Sequence, residues 1–297
     1  MRKILVTGGN GQVGTELQRC IWPADVQLAA LDRNDLDLTD TSAIAGLILK
    51  EGWSAVINAG AYTAVDKAED DVVTAWAVNA LAPAAIAAAC TEADIPLVHI
   101  STDYVFGGAK AGAWEVTDKP DPLCVYGASK LGGELAVSTS DARHAIIRTA
   151  WVVSAQGANF VKTMLRIAAA QPELRVVADQ HGSPTSAADL ANAICKIVLR
   201  LMEDEDAPTG IFHFSNSGAT NWADFAREIF RQSAMRGGVS AVVRNIATSD
   251  YPTPAKRPAN SVLSHQAIKE KYGINPRAWE TAVGEILDEL VGAANVI

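Results

Sequence analysis

Short apolar runs alternate along the first half of the chain with longer stretches whose apolar positions recur every three or four residues. The runs at residues 4–6, 26–31, 55–58 and 97–100 are short and nearly uniformly hydrophobic, as strands buried on both faces are. Between them, residues 12–20, 41–50 and 72–93 read as helices. That alternation predicts βαβ units around a parallel sheet. A helix over 126–138 and a strand over 145–148 continue it, followed by a helix near 159–170 and a strand over 175–178. The expected fold class is α/β, a Rossmann-like doubly wound parallel sheet with helices on both faces.

Beyond residue 150 the rhythm loosens into a helix over 186–202, an acidic turn at 203–206, a short strand over 211–214 and a helix over 222–236. Ligands of open α/β sheets bind outside the carboxyl ends of the strands, so a smaller lobe placed there closes over a substrate. The expected division is a dinucleotide-binding domain over 1–150, with strand and helix contributions from about 151–200, and a mainly substrate-binding lobe over 151–297. Pro252, Pro254 and Pro258 make the segment 251–261 an extended or turning loop.

The first strand runs into Thr7-Gly8-Gly9-Asn10-Gly11-Gln12-Val13-Gly14 and then a helix, which is the setting of a dinucleotide-binding turn. Its spacing is GxxGxxG, where many dehydrogenases have GxGxxG. Gly8, Gly11 and Gly14 permit a tight turn, close approach to a pyrophosphate and close helix–strand packing, with Gln12 and Val13 opening the helix toward the phosphates. Asp32 ends the second strand, where an acid hydrogen-bonds an adenine ribose. The adjacent Arg33 suits a 2′-phosphate, so NADH and NADPH both remain open. Asp37 and Leu38 are placed to flank the adenine. Asn58 is followed by Ala59, Gly60 and Ala61, then Tyr62, and the small residues let a ligand lie against the third strand's end.

Tyr126-Gly-Ala-Ser-Lys130 puts a phenol and an ammonium four residues apart on one helical face. An ammonium beside a phenol favours the phenolate, which predicts a lowered tyrosine pKa and a usable proton donor or acceptor. The same spacing also arises from a packed ring and a solvated lysine.

Composition narrows the field. The chain has 297 residues, 49% hydrophobic and 20% charged, enough for a large core and unlike a disordered chain. Its formal charge of −9 argues against nucleic acid or an anionic membrane as partner. Cys20, Cys90, Cys124 and Cys195 are far apart, without a CxxC pair, and read as reduced thiols. The basic and apolar start is cut by Gly8 and Gly9 well short of a signal peptide's core. The alanine-rich run over 80–93 contains Pro83 and ends in charged residues, so no uncharged run is expected to reach the roughly 18 residues of a membrane span. A cytoplasmic protein without membrane spans is expected.

The glycine turn, Ser101-Thr102-Asp103 and Tyr126-x-x-x-Lys130 together resemble the extended short-chain dehydrogenase/reductase superfamily. Further segments are similar to the dTDP-4-dehydrorhamnose reductase family within it: residues 61–69, 101–106, 148–152, 179–185 and 251–258. The resemblance implies reduction of a nucleotide-linked 4-keto-6-deoxy sugar by NADPH or NADH. It implies that Tyr126 donates a proton to the 4-keto oxygen, that Lys130 holds the nicotinamide ribose, and that Thr102 polarises the same oxygen. Asp103, Tyr104, Trp151, Asn159 and Arg257 fall at substrate-binding positions, Arg257 as partner of the pyrophosphate. Related dehydratases place an acid where Tyr104 stands, so net reduction fits better than elimination. Glu16 matches one ligand of a magnesium ion at a dimer contact, but Ala188-Asp189 has alanine where a second acid is expected. The homodimer is left open with the metal. Two rivals remain: a nucleotide-sugar epimerase, and a non-catalytic cofactor-binding subunit similar to that of methionine adenosyltransferase.

Overall fold

The structure, a computed structural model, describes residues 1–50 and 52–292. Five strands, β1 (Arg2–Thr7), β2 (Val26–Leu31), β3 (Ala55–Asn58), β4 (Leu97–Thr102) and β5 (His144–Thr149), are joined by an edge strand, Gly210–His213. Their order is edge strand, β5, β4, β3, β1, β2, and every pairing is parallel. The order reverses between β1 and β3, so the loops leaving those strands diverge and open a crevice at their carboxyl ends.

Helices cover both faces, which is why the strands are apolar without alternation. On one side α1 (Gln12–Arg19) packs with the long helix Ala187–Glu203, and Leu17, Leu190, Ile194 and Ile197 meet Ile4, Val6 and Ile57. On the other, α2 (Thr41–Lys50) sends Ile44 and Ile48 against Leu5 and Val56. Short helices α3 (Val65–Ala68) and α4 (Val72–Trp76) lead through a wide π turn, Ala77–Leu81, into α5 (Ala82–Glu92), and α6 (Val125–Ser138) lies beside them.

The helix expected over 72–93 forms, but residues 72–91 carry no charge, a longer uncharged run than the expected limit of about 18. Pro83 falls at the start of α5, and Val72–Glu92 runs for 21 residues with an 18-residue window of mean hydropathy 1.7, long and apolar enough to cross a membrane by length and composition alone. A proline is tolerated in a first helical turn, and the π turn before it absorbs the missing hydrogen bond. Ala82, Ile86, Ala87 and Cys90 spend the inner face of this helix on the sheet core.

A second hydrophobic cluster forms from residues between Val153 and Val291. Helices α7 (Phe160–Ala168), α9 (Trp222–Met235) and α11 (Trp279–Leu287) pack Val161, Phe225, Ile229 and Val283 against a parallel pair of strands, Glu173–Val177 and Val242–Ile246. The strand expected over 175–178 therefore pairs outside the main sheet. Helix α8 (Ala187–Glu203) and the edge strand return the chain to the sheet, whereas α10 (Gln266–Tyr272) covers that edge. The end of the expected second lobe, residues 293–297, lies outside the described residues.

Candidate active site

A cavity of about 950 Å³ follows the carboxyl ends of β1 to β5. Gly8, Gly11, Gln12, Val13, Asp32, Arg33, Asp37, Leu38, Ala59, Gly60, Ala61 and Tyr62 line one end; Thr102, Asp103, Tyr104, Tyr126, Lys130 and Trp151 line the other. Gly14, Asn159 and Arg257, also expected at the site, are not on its wall.

The glycine turn shows why it must be glycine. Gly8 has φ +71°, and a Cβ there would meet the Gly60 backbone at 2.7 Å. The turns after β1 and β3 thus touch, and the floor of the crevice is bare backbone. Gly11 begins α1 without a side-chain cap, leaving the first helical N–H groups to an anionic ligand. A dinucleotide fits this floor. Asp32 accepts from Asn10 Nδ2 at 2.5 Å and from the backbone N–H of Asn34 at 2.7 Å, which fixes its carboxylate at the cavity edge beside Arg33.

Asn79, which the sequence reading did not single out, ties the two ends together. It is fully buried in the π turn, accepts from the Tyr62 N–H at 2.8 Å, and donates to the Tyr62 carbonyl at 3.1 Å and Ser129 Oγ at 3.0 Å. A lone amide in an alanine-rich helix was the available signal. Widened helical turns recur at functional sites because they turn one side chain out of register.

Thr102 closes β4, and its Oγ1 donates to Asp103 Oδ1 at 2.9 Å and accepts from the Tyr104 N–H at 3.2 Å. The Tyr126 phenol lies near enough to this side chain for Thr102 to lower its proton affinity. Capping and chemistry therefore share one side chain. The ring of Tyr104 stands edge-on to Tyr126, with centroids 5.4 Å apart and planes at 75°. Such contact requires Gly127, because any Cβ there would strike the Tyr104 carbonyl.

The predicted lowering of the Tyr126 pKa is not what this geometry gives. Burial pushes the phenol well up, more than Thr102 pulls it down, with Asp103 adding to the rise. Lys130 does not offset this, because its ammonium donates to the Ile100 carbonyl at 2.7 Å. Burial brings Lys130 itself down to about 8, opposed by Glu134. Asp103, buried, is pushed up to about 6, opposed by nearby Ser261 and by the Thr102 hydroxyl, while its Oδ2 has no hydrogen-bond partner among the described residues.

Behind these groups, Glu134 accepts from Ser101 Oγ at 2.5 Å and from Arg148 Nε and Nη2 at 2.9 and 2.7 Å. Ser101 and Arg148 are cross-strand neighbours on β4 and β5, and all three side chains are buried. Each sits close in sequence to a residue of the cavity wall: Thr102, Lys130 and Thr149.

Trp151 is both wall and core. It lines the cavity while its ring stacks on Trp222 at 3.6 Å, and its φ of +48° is a conformation few non-glycine residues adopt. Asn159 is spent on structure: it caps α7 by accepting from the Lys162 N–H and donates to Gln12 Oε1 at 2.9 Å and the Ser154 carbonyl at 2.7 Å. Arg257 pairs with Asp66, Nη2 to Oδ2 at 2.8 Å and Nη1 to Oδ1 at 3.1 Å.

The model of one family, described as "RmlD substrate binding domain", matches residues 1–291. The chain belongs to that family. A dTDP-4-dehydrorhamnose reductase of Sinorhizobium fredii is 42% identical over 286 residues, 96% of each chain. A solved dTDP-4-dehydrorhamnose reductase from Clostridium acetobutylicum superposes with TM-score 0.91 at 38% identity, covering 97% of this chain and 99% of its own. Another, from Bacillus anthracis and in complex with NADP, gives 0.90 at 33% identity over 97% and 100%.

Within this family's fold, the magnesium candidate Glu16 is otherwise engaged. Its Oε1 accepts from Ser154 Oγ at 3.0 Å and pairs with Arg19 at 3.3 Å. Asp189 pairs with Arg277 and accepts from Asn216 Nδ2 at 2.7 Å. Among the described residues no group of three acids, histidines or cysteines is placed to hold a metal ion.

Proposed function

We propose that this protein reduces the 4-keto group of dTDP-4-dehydro-β-L-rhamnose to dTDP-β-L-rhamnose, drawing on NADPH or NADH. Family membership and full-length likeness to named reductases support the substrate. The observation that carries the chemistry is that Thr102, Tyr126 and Lys130 line one cavity with the bare backbone where the turns at Gly8 and Gly60 touch. When bound, the nicotinamide supplies hydride to the carbonyl carbon.

The chain's own groups manage the oxygen. Thr102 and Tyr126 line the same cavity, so a carbonyl oxygen held between them meets two hydroxyls where negative charge develops. The raised pKa keeps the Tyr126 phenol protonated at neutral pH, the form a proton donor needs. Lys130, anchored on Ile100, holds a positive charge on the same helical face for the cofactor's ribose. Trp151 forms an apolar wall for the sugar, and Tyr104 fills the place where an eliminating enzyme needs an acid. Asp32 and Arg33 at the ribose end accommodate either dinucleotide. The substrate's diphosphate meets Arg257, which Asp66 holds near the cavity-lining Val65 and Lys67. We read the lobe beyond residue 150 as the substrate's, the enzyme as cytoplasmic, and a homodimer as its assembly.

Product analysis tests the assignment. Incubation with the 4-keto substrate and NADPH should yield dTDP-β-L-rhamnose and an equal amount of oxidised cofactor. A sugar epimer formed without net cofactor use would replace the reductase reading with an epimerase.

A further inference from the structure

The guanidinium of Arg257 has two edges that can each present a pair of N–H groups, and this structure commits one of them. Nη1 and Nη2 face the Asp66 carboxylate at 3.1 and 2.8 Å, and Nη1 also donates to Thr253 Oγ1 at 2.5 Å and to the Ala255 carbonyl at 3.1 Å. Among the described residues the Nε hydrogen and the second Nη2 hydrogen make no hydrogen bond. Those two form the other edge, the one that suits a pair of phosphate oxygens. Arg257 lies close enough to Tyr104 to act on its charge, and Tyr104 in turn abuts Tyr126.

Asp66 is placed to set this arrangement. It sits on α3 between Val65 and Lys67, both on the cavity wall, and it also accepts from the Ala255 N–H at 3.2 Å. It therefore holds both the arginine and the backbone of the proline-rich segment to the sheet domain. We propose that Asp66 is a positioning residue for substrate, presenting the free edge of Arg257 to the diphosphate of the nucleotide sugar. The inference rests on the reading of Arg257 as the diphosphate partner.

Two effects oppose each other here. A carboxylate near an anionic ligand repels it, but Asp66 is 41% exposed and lies behind the guanidinium, so solvent screens the repulsion. Losing it releases a long side chain and a loop that binding must then order. Ordering the freed side chain outweighs the screened repulsion, and removal weakens substrate binding by about three- to tenfold.

The test is a double-mutant cycle read in KM for dTDP-4-dehydro-β-L-rhamnose, using the full chain with saturating NADPH. Asp66→Ala should raise KM three- to tenfold with kcat changed much less, and Asp66→Glu should recover part of the loss. Arg257→Ala should raise KM further, and adding Asp66→Ala to it should change nothing more. An Arg257→Ala enzyme with unchanged KM would overturn the diphosphate assignment itself. If Arg257→Ala raises KM but Asp66→Ala leaves it unchanged, lowers it, or adds its full effect in the double variant, the positioning role of Asp66 is wrong.

Discussion

Lys130 is fastened to β4: its Nζ donates to the carbonyl of Ile100 at 2.7 Å, two residues before the strand ends in Thr102. The bond fixes the ammonium near the strand's end. The titratable groups acting on it are Glu134, one turn along α6, and His99 on β4, whose proton affinity burial and Lys130 lower well below the usual range. A lysine brought to about 8 is charged below that pH and neutral above it. Cofactor affinity should therefore weaken as pH rises through about 8, and Lys130→Met should bind weakly with that step removed. Titrations of NADPH binding at pH 6.5 to 9.5 check this; an unchanged step in the methionine variant would assign it to another group.

For Tyr126→Phe, the ring, its contact with Tyr104 and the packing around Gly127 are all retained, and only the proton donor is lost. Turnover should drop by about 10² to 10⁴-fold while cofactor affinity is kept. Steady-state kinetics with a parallel binding titration separate the two.

Asp103 predicts a trade of stability against activity. Its carboxyl holds a proton up to about pH 6 in the folded protein, whereas the unfolded chain releases it near 4. Between those values the folded state binds more protons, so this group's contribution falls as pH rises through about 4 to 6 and stays low above. Asp103→Asn avoids that loss. It should be more stable than wild type at pH 7 by up to about 3 kcal/mol, with the advantage gone near pH 4, and less active. Urea unfolding of both proteins across that range measures it.

The buried Glu134–Arg148 pair should show the asymmetry of buried charges. Glu134→Ala strands a buried guanidinium and should cost about 3–5 kcal/mol, far more than exposed pairs such as Arg244–Glu173. A double variant, Glu134→Leu with Arg148→Met, should regain stability but not activity, since the Ser101 hydroxyl before Thr102 loses its acceptor.

Much of this was legible in the chain. The sheet follows from apolar runs bounded by turns, and Gly8, Thr102, Tyr126 and Lys130 stand in patterns local enough to read. Other features depended on contacts between distant segments. Nothing near residue 66 announces that its carboxylate will meet Arg257, and nothing near Asn79 announces a π turn. The strand at Glu173–Val177 joined the wrong sheet in the sequence reading, because a short β run carries no mark of its partner. The Tyr126 pKa went the wrong way because helical spacing gives proximity of side chains but not the desolvation that comes with full burial.

The central claim is that the Thr102 and Tyr126 hydroxyls serve net reduction of a 4-keto nucleotide sugar. The most direct measurement follows nicotinamide absorbance as the protein is mixed with dTDP-4-dehydro-β-L-rhamnose and either NADPH or NADH. Stoichiometric cofactor oxidation, abolished in Tyr126→Phe, is the result predicted. No oxidation of either cofactor by the folded wild-type protein would contradict the account.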